Sequence, residues 1–440
     1  MGNLSGSSRI CLQTSFLLLI LLHCALRSHG NQSAKFHVYE EAELQRSLAR
    51  YRDLLSNQRD HSASMRDLLQ DNQEESENLG QAEASTAEGF VFPEPYLLGP
   101  VIKDWDEQRS TWLEENPGMK SMPNGKPRVL IVTGSQPHPC NNPGGDLLLV
   151  NSLKLKIDYA RMHNYEIFYN FAWLDPLFGL YWVKVPTIRK LMLTHPEIEW
   201  FIWIDSDAVF TDMLFEPPFH ELDGYNMAMW AWEEGFRNKS WTSVNVGVFL
   251  IRNCQWSLDL IDKWSPMGPA GEVRVEYGKM LSQFFMDRRD NYPADDQSAL
   301  IYVILTEEAV RSKIKLVQDE YIISGWWVHV VDTLDRALEK YHPGLGDRRW
   351  PWITHFTGCQ PCGGVPNADY SYESCILNMT KVFNFADNQV LAYMGYQHQN
   401  LSSHAVVPTR NETDRPLDFV GVNPWAERIA QLAAETGMTS

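Results

Sequence analysis

The sequence predicts an α/β domain of the doubly wound, Rossmann-like type, standing behind an amino-terminal apolar segment and a helical stem. Strand-like and helix-like stretches alternate at short intervals from Arg128 to Ile204, which is the pattern of consecutive βαβ units. The apolar run Trp200-Phe201-Ile202-Trp203-Ile204 reads as a buried strand and exits into Asp205-Ser206-Asp207, at the end of a strand where open α/β sheets place ligands. The apolar run Ile10 to Leu26, followed by the stepped pattern Leu44, Leu48, Tyr51 and Leu55, predicts an anchor and then an amphipathic helix or short coiled coil.

The amino terminus is read first. Arg9 precedes the apolar run and Arg27 follows it, without a clean small-x-small cleavage site, so the segment is expected to stay as a signal-anchor. The expected division is a cytosolic tail over 1–9, a transmembrane anchor over 10–26, a stem over 27–92 and a globular domain over 93–440. Within the stem, the stretch from Gln70 to Gly89 is polar and acidic without periodicity, the composition of a flexible linker. One arginine on each side leaves orientation undecided by charge. Sequons at Asn31, Asn238, Asn378, Asn400 and Asn411 suit a lumenal body, and the sequon at Asn3 falls in the cytosolic tail.

The body opens with the strand Arg128 to Thr133 and the turn Gly134-Ser135, where a nucleotide could sit. A helix from Leu147 to His163 carries Lys154, Lys156, Asp158 and Tyr159; the strand Glu166 to Asn170 follows; a helix from Trp182 to Leu193 carries Lys184, Arg189 and Lys190. No Gly-x-Gly-x-x-Gly opens any of these helices, which argues against NAD or FAD. After Ile204, Asp205 and Asp207 stand at i and i+2 on extended backbone and so share a face. Both can reach one hard divalent cation, and such a cation bridges a diphosphate as a nucleotide leaves. An isolated Asp-x-Asp also recurs in solvated turns; the buried strand before it gives this one its weight.

Composition narrows the partners. The 440 residues carry a net charge of −18, which argues against a nucleic-acid partner, since phosphate binding wants a basic surface. Hydrophobic residues make up 44% and aromatics 12%, the make-up of a chain with a folded core; the 16 tryptophans offer flat faces for sugar rings besides core filling. Outside the anchor lie Cys140, Cys254, Cys359, Cys362 and Cys375. Cys359-x-x-Cys362 lacks a second pair at zinc spacing, so disulfides are expected, and an odd thiol is left if two form.

Four later segments carry chemistry. Asn245 to Leu250 is a strand with a polar start, followed by Asn253-Cys254-Gln255-Trp256-Ser257. Asp295-Asp296-Gln297 opens an apolar helix, where acids also serve as plain caps. Tyr341 to Asp347 is a turn-rich loop, and Trp352-Ile353-Thr354-His355-Phe356 is a late strand presenting a histidine.

Taken in order, Ile131 to Pro137, Lys156-Ile157-Asp158-Tyr159, Asp205-Ser206-Asp207, Asn253 to Ser257, Ala294 to Leu300, Lys340 to Asp347, Thr354-His355-Phe356, Phe383 to Gln389 and Arg410 to Thr413 resemble glycosyltransferase family 34, over about Arg128 to Thr413. The resemblance implies a GT-A fold, type II Golgi topology and sugar transfer from a UDP-sugar with retention of configuration. It implies Asp205, Asp207 and His355 as ligands of Mn²⁺, which accepts mixed oxygen and nitrogen ligation. Gly134, Ser135, Asp158, Tyr159 and Lys184 would form the UDP side, joined by Ser206, Asn245, Gly358 and Gln360 as substrate-binding positions. Asp295, Asp296 and Gln297 would be the catalytic set beside the transferred sugar and the acceptor hydroxyl. Xylosyl transfer to a β-1,4-glucan such as that of xyloglucan is expected first, α-1,6-galactosyl transfer to a mannan second. A weakly active glycan-binding scaffold of a synthase complex is the reading from another class, with homo- or hetero-oligomers through the stem or the domain. Three departures bear on it: Gln360 stands where the family usually has lysine, Ser324 where histidine is common, and Met229-Trp230-Ala231-Trp232 differs from the plant xylosyltransferases.

Overall fold

The computed structural model of the chain describes residues 95–409, except 173, 291, 319–322, 341–343, 345–349 and 365 and the side chains of 339 and 340. The expected tail, anchor and stem, the sequons at Asn3, Asn31 and Asn411, and most of the Lys340–Asp347 and Arg410–Thr413 motifs lie outside the described residues. Among the described residues, no helix is long and apolar enough to cross a membrane.

The strands are β1 (Val129–Gly134), β2 (Glu166–Asn170), β3 (Trp200–Ile204), β4 (Ala208–Phe210), β5 (Met227–Ala231), β6 (Val244–Arg252), β7 (Ile314–Val317), β8 (Gly325–Trp326), β9 (Ile353–His355), β10 (Tyr396–His398) and β11 (Val406–Pro408). The helices of ten residues or more are α1 (Trp105–Glu115), α2 (Pro143–His163), α3 (Lys184–Thr194), α4 (Gln255–Trp264), α5 (Glu272–Phe284), α6 (Asp296–Thr306) and α7 (Tyr372–Met394).

A six-stranded sheet runs β2-β1-β3-β6-β5-β7. Its first half matches expectation: β2, β1 and β3 are parallel, joined by α2 and α3. The second half corrects it. β6 runs antiparallel to both β3 and β5, so the sheet is mixed and not parallel throughout. The link from β5 to β6 carries only a five-residue helix, in place of the long helices that join the parallel strands.

Both faces of β3 are covered. Trp200, Ile202 and Ile204 pack into one apolar core with α2 and α7, while Phe201 and Trp203 pack into the other with α3, α4 and α6. That is why the strand reads as an unbroken apolar run instead of an alternating one. Its end is correspondingly stiff.

A second sheet, β4-β9-β8, grows straight out of the acidic motif. β4 begins one residue after Asp207 and pairs antiparallel with β9, setting Ala208 opposite His355. The backbone N–H of Phe356 donates to the Asp207 carbonyl at 3.1 Å. Two disulfides, Cys140–Cys362 and Cys359–Cys375, fix the segment after His355 to the loop after β1 and to α7. Among the described residues, Cys254 is the free thiol.

Candidate active site

Antiparallel pairing of β4 with β9 brings His355 to the acidic pair across 148 positions of sequence. His355 Nε2 stands 3.2 Å from Asp207 Oδ1 and 4.0 Å from Asp205 Oδ2. One ligand atom from each of Asp205, Asp207 and His355 lies within 4.8 Å of the other two. Two carboxylate oxygens and one imidazole nitrogen converging in this way fit a divalent cation of mixed oxygen and nitrogen preference.

The ring is held from behind. Asn245, at the polar start of β6, places Oδ1 3.1 Å from His355 Nδ1, so Nδ1 carries a hydrogen and Nε2 is the nitrogen turned to the carboxylates. Asn245 Oδ1 also accepts from Gly247 N at 3.0 Å and from Ser324 Oγ at 3.3 Å. Ser324 therefore joins the support of the histidine. Burial pushes the His355 ring down, but Asp207 and Asp205 outweigh it and raise its pKa. Burial likewise pushes Asp207 up, and His355 reverses it to a net lowering.

Asp205 divides its two oxygens. Oδ1 accepts from Trp203 Nε1 at 2.6 Å and lies 3.3 Å from Lys184 Nζ, which leaves Oδ2 for the site. The Ser206 carbonyl accepts from Ser152 Oγ at 2.8 Å, and Lys156 Nζ donates to the Asp205 carbonyl at 2.8 Å. Burial lowers the Lys156 pKa to about 7, against the pull of Asp207 and Asp205.

Here α2 corrects the sequence reading. Lys156 reaches the site, whereas Asp158 and Tyr159 point elsewhere. Asp158 accepts from Lys154, which also pairs with Asp387 of α7. Tyr159 is fully buried, stacked on Phe210 with centroids 3.7 Å apart, and its hydroxyl donates to the Phe215 carbonyl at 2.7 Å. Neither belongs to a UDP surface. Positions 152, 156, 159 and 163 share the face toward β3 and β4, but Lys156 meets the exit of β3 while Tyr159, about one turn further along, meets Phe210 of β4. Asp158 lies on another face, toward α7.

The adjacent carboxylates at the start of α6 also have different employments. Asp295 is the N-cap: Oδ1 accepts from Ser298 N at 2.7 Å, and Oδ2 accepts from Ser298 Oγ at 2.7 Å and Arg288 Nη2 at 3.1 Å. Arg288 is buried and also donates to the carbonyls of Gly278, Tyr292 and Pro293. Asp295 is thus a structural cap, which corrects its placement in the catalytic set. Asp296 turns the other way, its Oδ2 2.5 Å from Lys184 Nζ. Burial raises its pKa to about 6 despite Lys184. Gln297 spans β6 and its preceding loop, accepting from Val246 N at 3.3 Å and donating to the Trp241 carbonyl at 3.1 Å.

Lys184 is also placed differently from the phosphate-side position expected of it. The side chain is 2% exposed and sits between Asp205 and Asp296, with Val246 O 3.1 Å away.

Gly134 ends β1 beside Asn170, and Ser135 N donates to Asn170 O at 3.1 Å. Ser135 borders a cleft of about 410 Å³ whose walls include Gln136, His138, Val150, Tyr169 and Phe171. Gly358, at φ +85°, and Gln360, at φ +42°, shape the disulfide-held loop after β9. The Gln360 side chain is exposed and bonded to Asn367 at 3.1 Å.

Sequence reasoning missed Gly247. A Cβ there would lie 2.1 Å from His355 Cε1 and 2.8 Å from Asp205 Oδ2. It also missed Trp326, which pairs in register with His355 across β8 and β9 and so shares its face of the small sheet. Its indole is 46% exposed.

The sequence pattern of the galactosyl transferase GMA12/MNN10 family, glycosyltransferase family 34, matches residues 125–366. The chain belongs to this family. This family-34 glycosyltransferase is 51% identical over 335 residues to "Probable xyloglucan 6-xylosyltransferase 5" of Arabidopsis thaliana, spanning 76% of this chain and 73% of that protein. It is 51% identical over 327 residues to "Xyloglucan 6-xylosyltransferase 1" of the same plant, 74% of this chain and 70% of that one. "Probable glycosyltransferase 2" of Oryza sativa subsp. japonica is 48% identical over 342 residues, 77% and 70% of the two chains. Among solved structures, a glycosyltransferase involved in glycosylation of the major capsid of PBCV-1 covers 57% of this chain and 99% of its own, at 13% identity and a TM-score of 0.35. The mixed sheet, with its acidic pair at the carboxyl end of β3, is the GT-A-like arrangement of a glycosyltransferase.

Proposed function

We propose that this enzyme transfers xylose from UDP-xylose, with retention, to the 6-position of glucose units in a β-1,4-glucan, making the α-1,6-xylosyl branches of xyloglucan. The observation that carries the reading is identity of about half to relatives named xyloglucan 6-xylosyltransferases, together with an Asp205–Asp207–His355 set in which each residue has a ligand atom within 4.8 Å of the others. Mn²⁺ is the proposed ion. A divalent cation in that set neutralises the charge that builds on the departing diphosphate.

The chain's own residues then have these parts. Asn245 and Gly247 hold the His355 ring flat and in one tautomer. The cleft beside Ser135 receives the nucleoside, and the loop carrying Gly358 and Gln360 borders the phosphates. Gln360 offers hydrogen bonds there but no charge, which lowers the rate relative to a lysine. Asp296 and Gln297 face the sugar and the acceptor hydroxyl. The acceptor oxygen attacks the anomeric carbon as the bond to the diphosphate breaks, and the diphosphate oxygen takes the acceptor proton on the same face. No residue of the chain acts as a nucleophile; its contribution is fixed charge and position. Trp326 supplies a flat apolar plate beside His355 against which an acceptor glucose ring stacks.

Residues 1–9, 10–26 and 27–92 are proposed as tail, anchor and stem of a single-pass type II Golgi protein with its catalytic domain in the lumen. Asn238 and Asn400 are exposed; endoglycosidase-sensitive mass lost in Asn400→Gln supports that topology, and unglycosylated protein from secretory-pathway expression counts against it.

The family's description as galactosyl transferases favours one second reading, galactosyl transfer to a mannan. The purified chain with Mn²⁺ is incubated with UDP-xylose, UDP-galactose or UDP-glucose, each against cello- and manno-oligosaccharides. Product from UDP-xylose and cello-oligosaccharide supports the first reading. Product from UDP-galactose and manno-oligosaccharide alone supports the second. Glycan binding without product from any pair points to a scaffold.

A further inference from the structure

Lys184 is the only ammonium among the described residues within ion-pair distance of both Asp205 and Asp296. Its Nζ stands 3.3 Å from Asp205 Oδ1 and 2.5 Å from Asp296 Oδ2, on a side chain 2% exposed. The third partner is the Val246 carbonyl at 3.1 Å. The Trp203 ring centroid is 5.7 Å from Nζ, and Trp203 Nε1 donates to the same Asp205 oxygen. One buried cation is therefore shared by a carboxylate of the proposed metal set and a carboxylate of the proposed sugar side.

A charge shared in this way is not neutral in its effects. Where water is excluded, charges a few ångströms apart interact far more strongly than at the surface. Whatever draws Lys184 toward Asp205 makes that carboxylate a poorer partner for a divalent cation. Whatever holds it at Asp296 frees Asp205.

We infer that Lys184 is a positioning residue that couples cation binding at Asp205, Asp207 and His355 to Asp296, so that the two halves of the site are energetically linked. Asp296 keeps the ammonium on its own side and so sustains metal affinity. By reciprocity, a cation at Asp205 pushes the ammonium toward Asp296 and fixes that carboxylate in place before the acceptor arrives. The inference rests on the proposed function only in taking Asp205, Asp207 and His355 as the cation set.

The test is Mn²⁺ binding to the purified full chain without any sugar nucleotide, followed by electron paramagnetic resonance of the free ion. Five proteins are compared: wild type, Asp296→Asn, Lys184→Met, the double variant of these two, and Lys184→Arg combined with Asp296→Asn. Asp296→Asn is isosteric, and the double variant removes the pair together, so both test the coupling even where Lys184→Met alone fails to fold. Asp296→Asn is expected to bind Mn²⁺ about tenfold more weakly, within the usual span of site-to-site coupling. The double variant is expected to recover most of that loss. Lys184→Arg, which keeps the charge, is expected to leave the loss in place when combined with Asp296→Asn. Equal weakening by Asp296→Asn with and without Lys184 overturns the coupling while leaving the metal site intact. Failure of the wild type itself to bind Mn²⁺ overturns both the coupling and the metal site.

Discussion

The imidazole of His355 rests directly on the backbone at Gly247, so that a β-carbon at 247 would fall 2.1 Å from ring atom Cε1. An overlap of that size forces the ring or the strand to move. Gly247→Ala is therefore expected to push the ring off Asp207, weaken Mn²⁺ binding about 10- to 100-fold, as loss of metal-orienting groups does, and lower turnover at least as far. Metal titration of the variant checks this. Wild-type affinity would show that the ring has another way to reach the carboxylates.

Asp295 and Asp296 should separate cleanly by experiment. Asp295→Ala removes an N-cap and strips the buried Arg288 of its carboxylate, an expected loss of about 3 kcal/mol in folding stability. Asp296→Asn leaves the Asp295 cap intact and Lys184 still beside Asp205, so it should cost less folding stability than Asp295→Ala and lower kcat. The reverse pattern, a stable Asp295 variant with lost turnover, would return Asp295 to the catalytic set.

Trp326 bears on the acceptor alone. Trp326→Ala is expected to raise KM for cello-oligosaccharides about tenfold, the loss of one aromatic stacking contact, with the KM for UDP-xylose and the slow hydrolysis of UDP-xylose unchanged. An unchanged acceptor KM would remove the indole from the acceptor path.

His163 predicts how stability depends on acidity. Its Nε2 lies 3.0 Å from the Met213 carbonyl, so that nitrogen carries the hydrogen, and burial lowers the ring's pKa to about 4 from 6.5. The unfolded chain then binds a proton that the folded chain refuses, and stability due to the neutral ring is present above pH 6.5 and lost as pH falls toward 4. A shift of this size corresponds to about 3 kcal/mol. Denaturant unfolding from pH 7 to 4.5 should show wild type losing stability more steeply than His163→Phe. Parallel slopes would contradict it.

Much of the site was legible because its residues sit where sequence pattern and backbone agree. The run Trp200 to Ile204, short and rich in aromatic and β-branched residues, reads as a buried strand, and its exit places Asp205 and Asp207. His355 was legible through an ordered motif, though nothing local showed that β4 and β9 would pair to deliver it. What was not legible depended on side-chain direction and on packing between distant segments. Lys156 and Tyr159 are three positions apart on one helix, and only the packing of β4 shows that the first supports Asp205 while the second fills a core. Adjacent Asp295 and Asp296 look alike in sequence; Arg288, folded under α6, claims one of them. The clearance that Gly247 provides exists only once β6 runs antiparallel beside β3, which the strand-helix rhythm before it does not signal. The mixed half of the sheet was missed for that same reason.

The account's central claim is that the Asp205–Asp207–His355 set serves retaining xylosyl transfer to a β-1,4-glucan. It is tested most directly by nuclear magnetic resonance of the product formed from UDP-xylose and a cello-oligosaccharide with Mn²⁺, by wild type and by His355→Ala. The expected result is a xylosyl residue with an α-anomeric proton on a glucose 6-position, formed by wild type and reduced at least about 100-fold in the variant. A β-linked product, no product from UDP-xylose, or equal product from His355→Ala would contradict it.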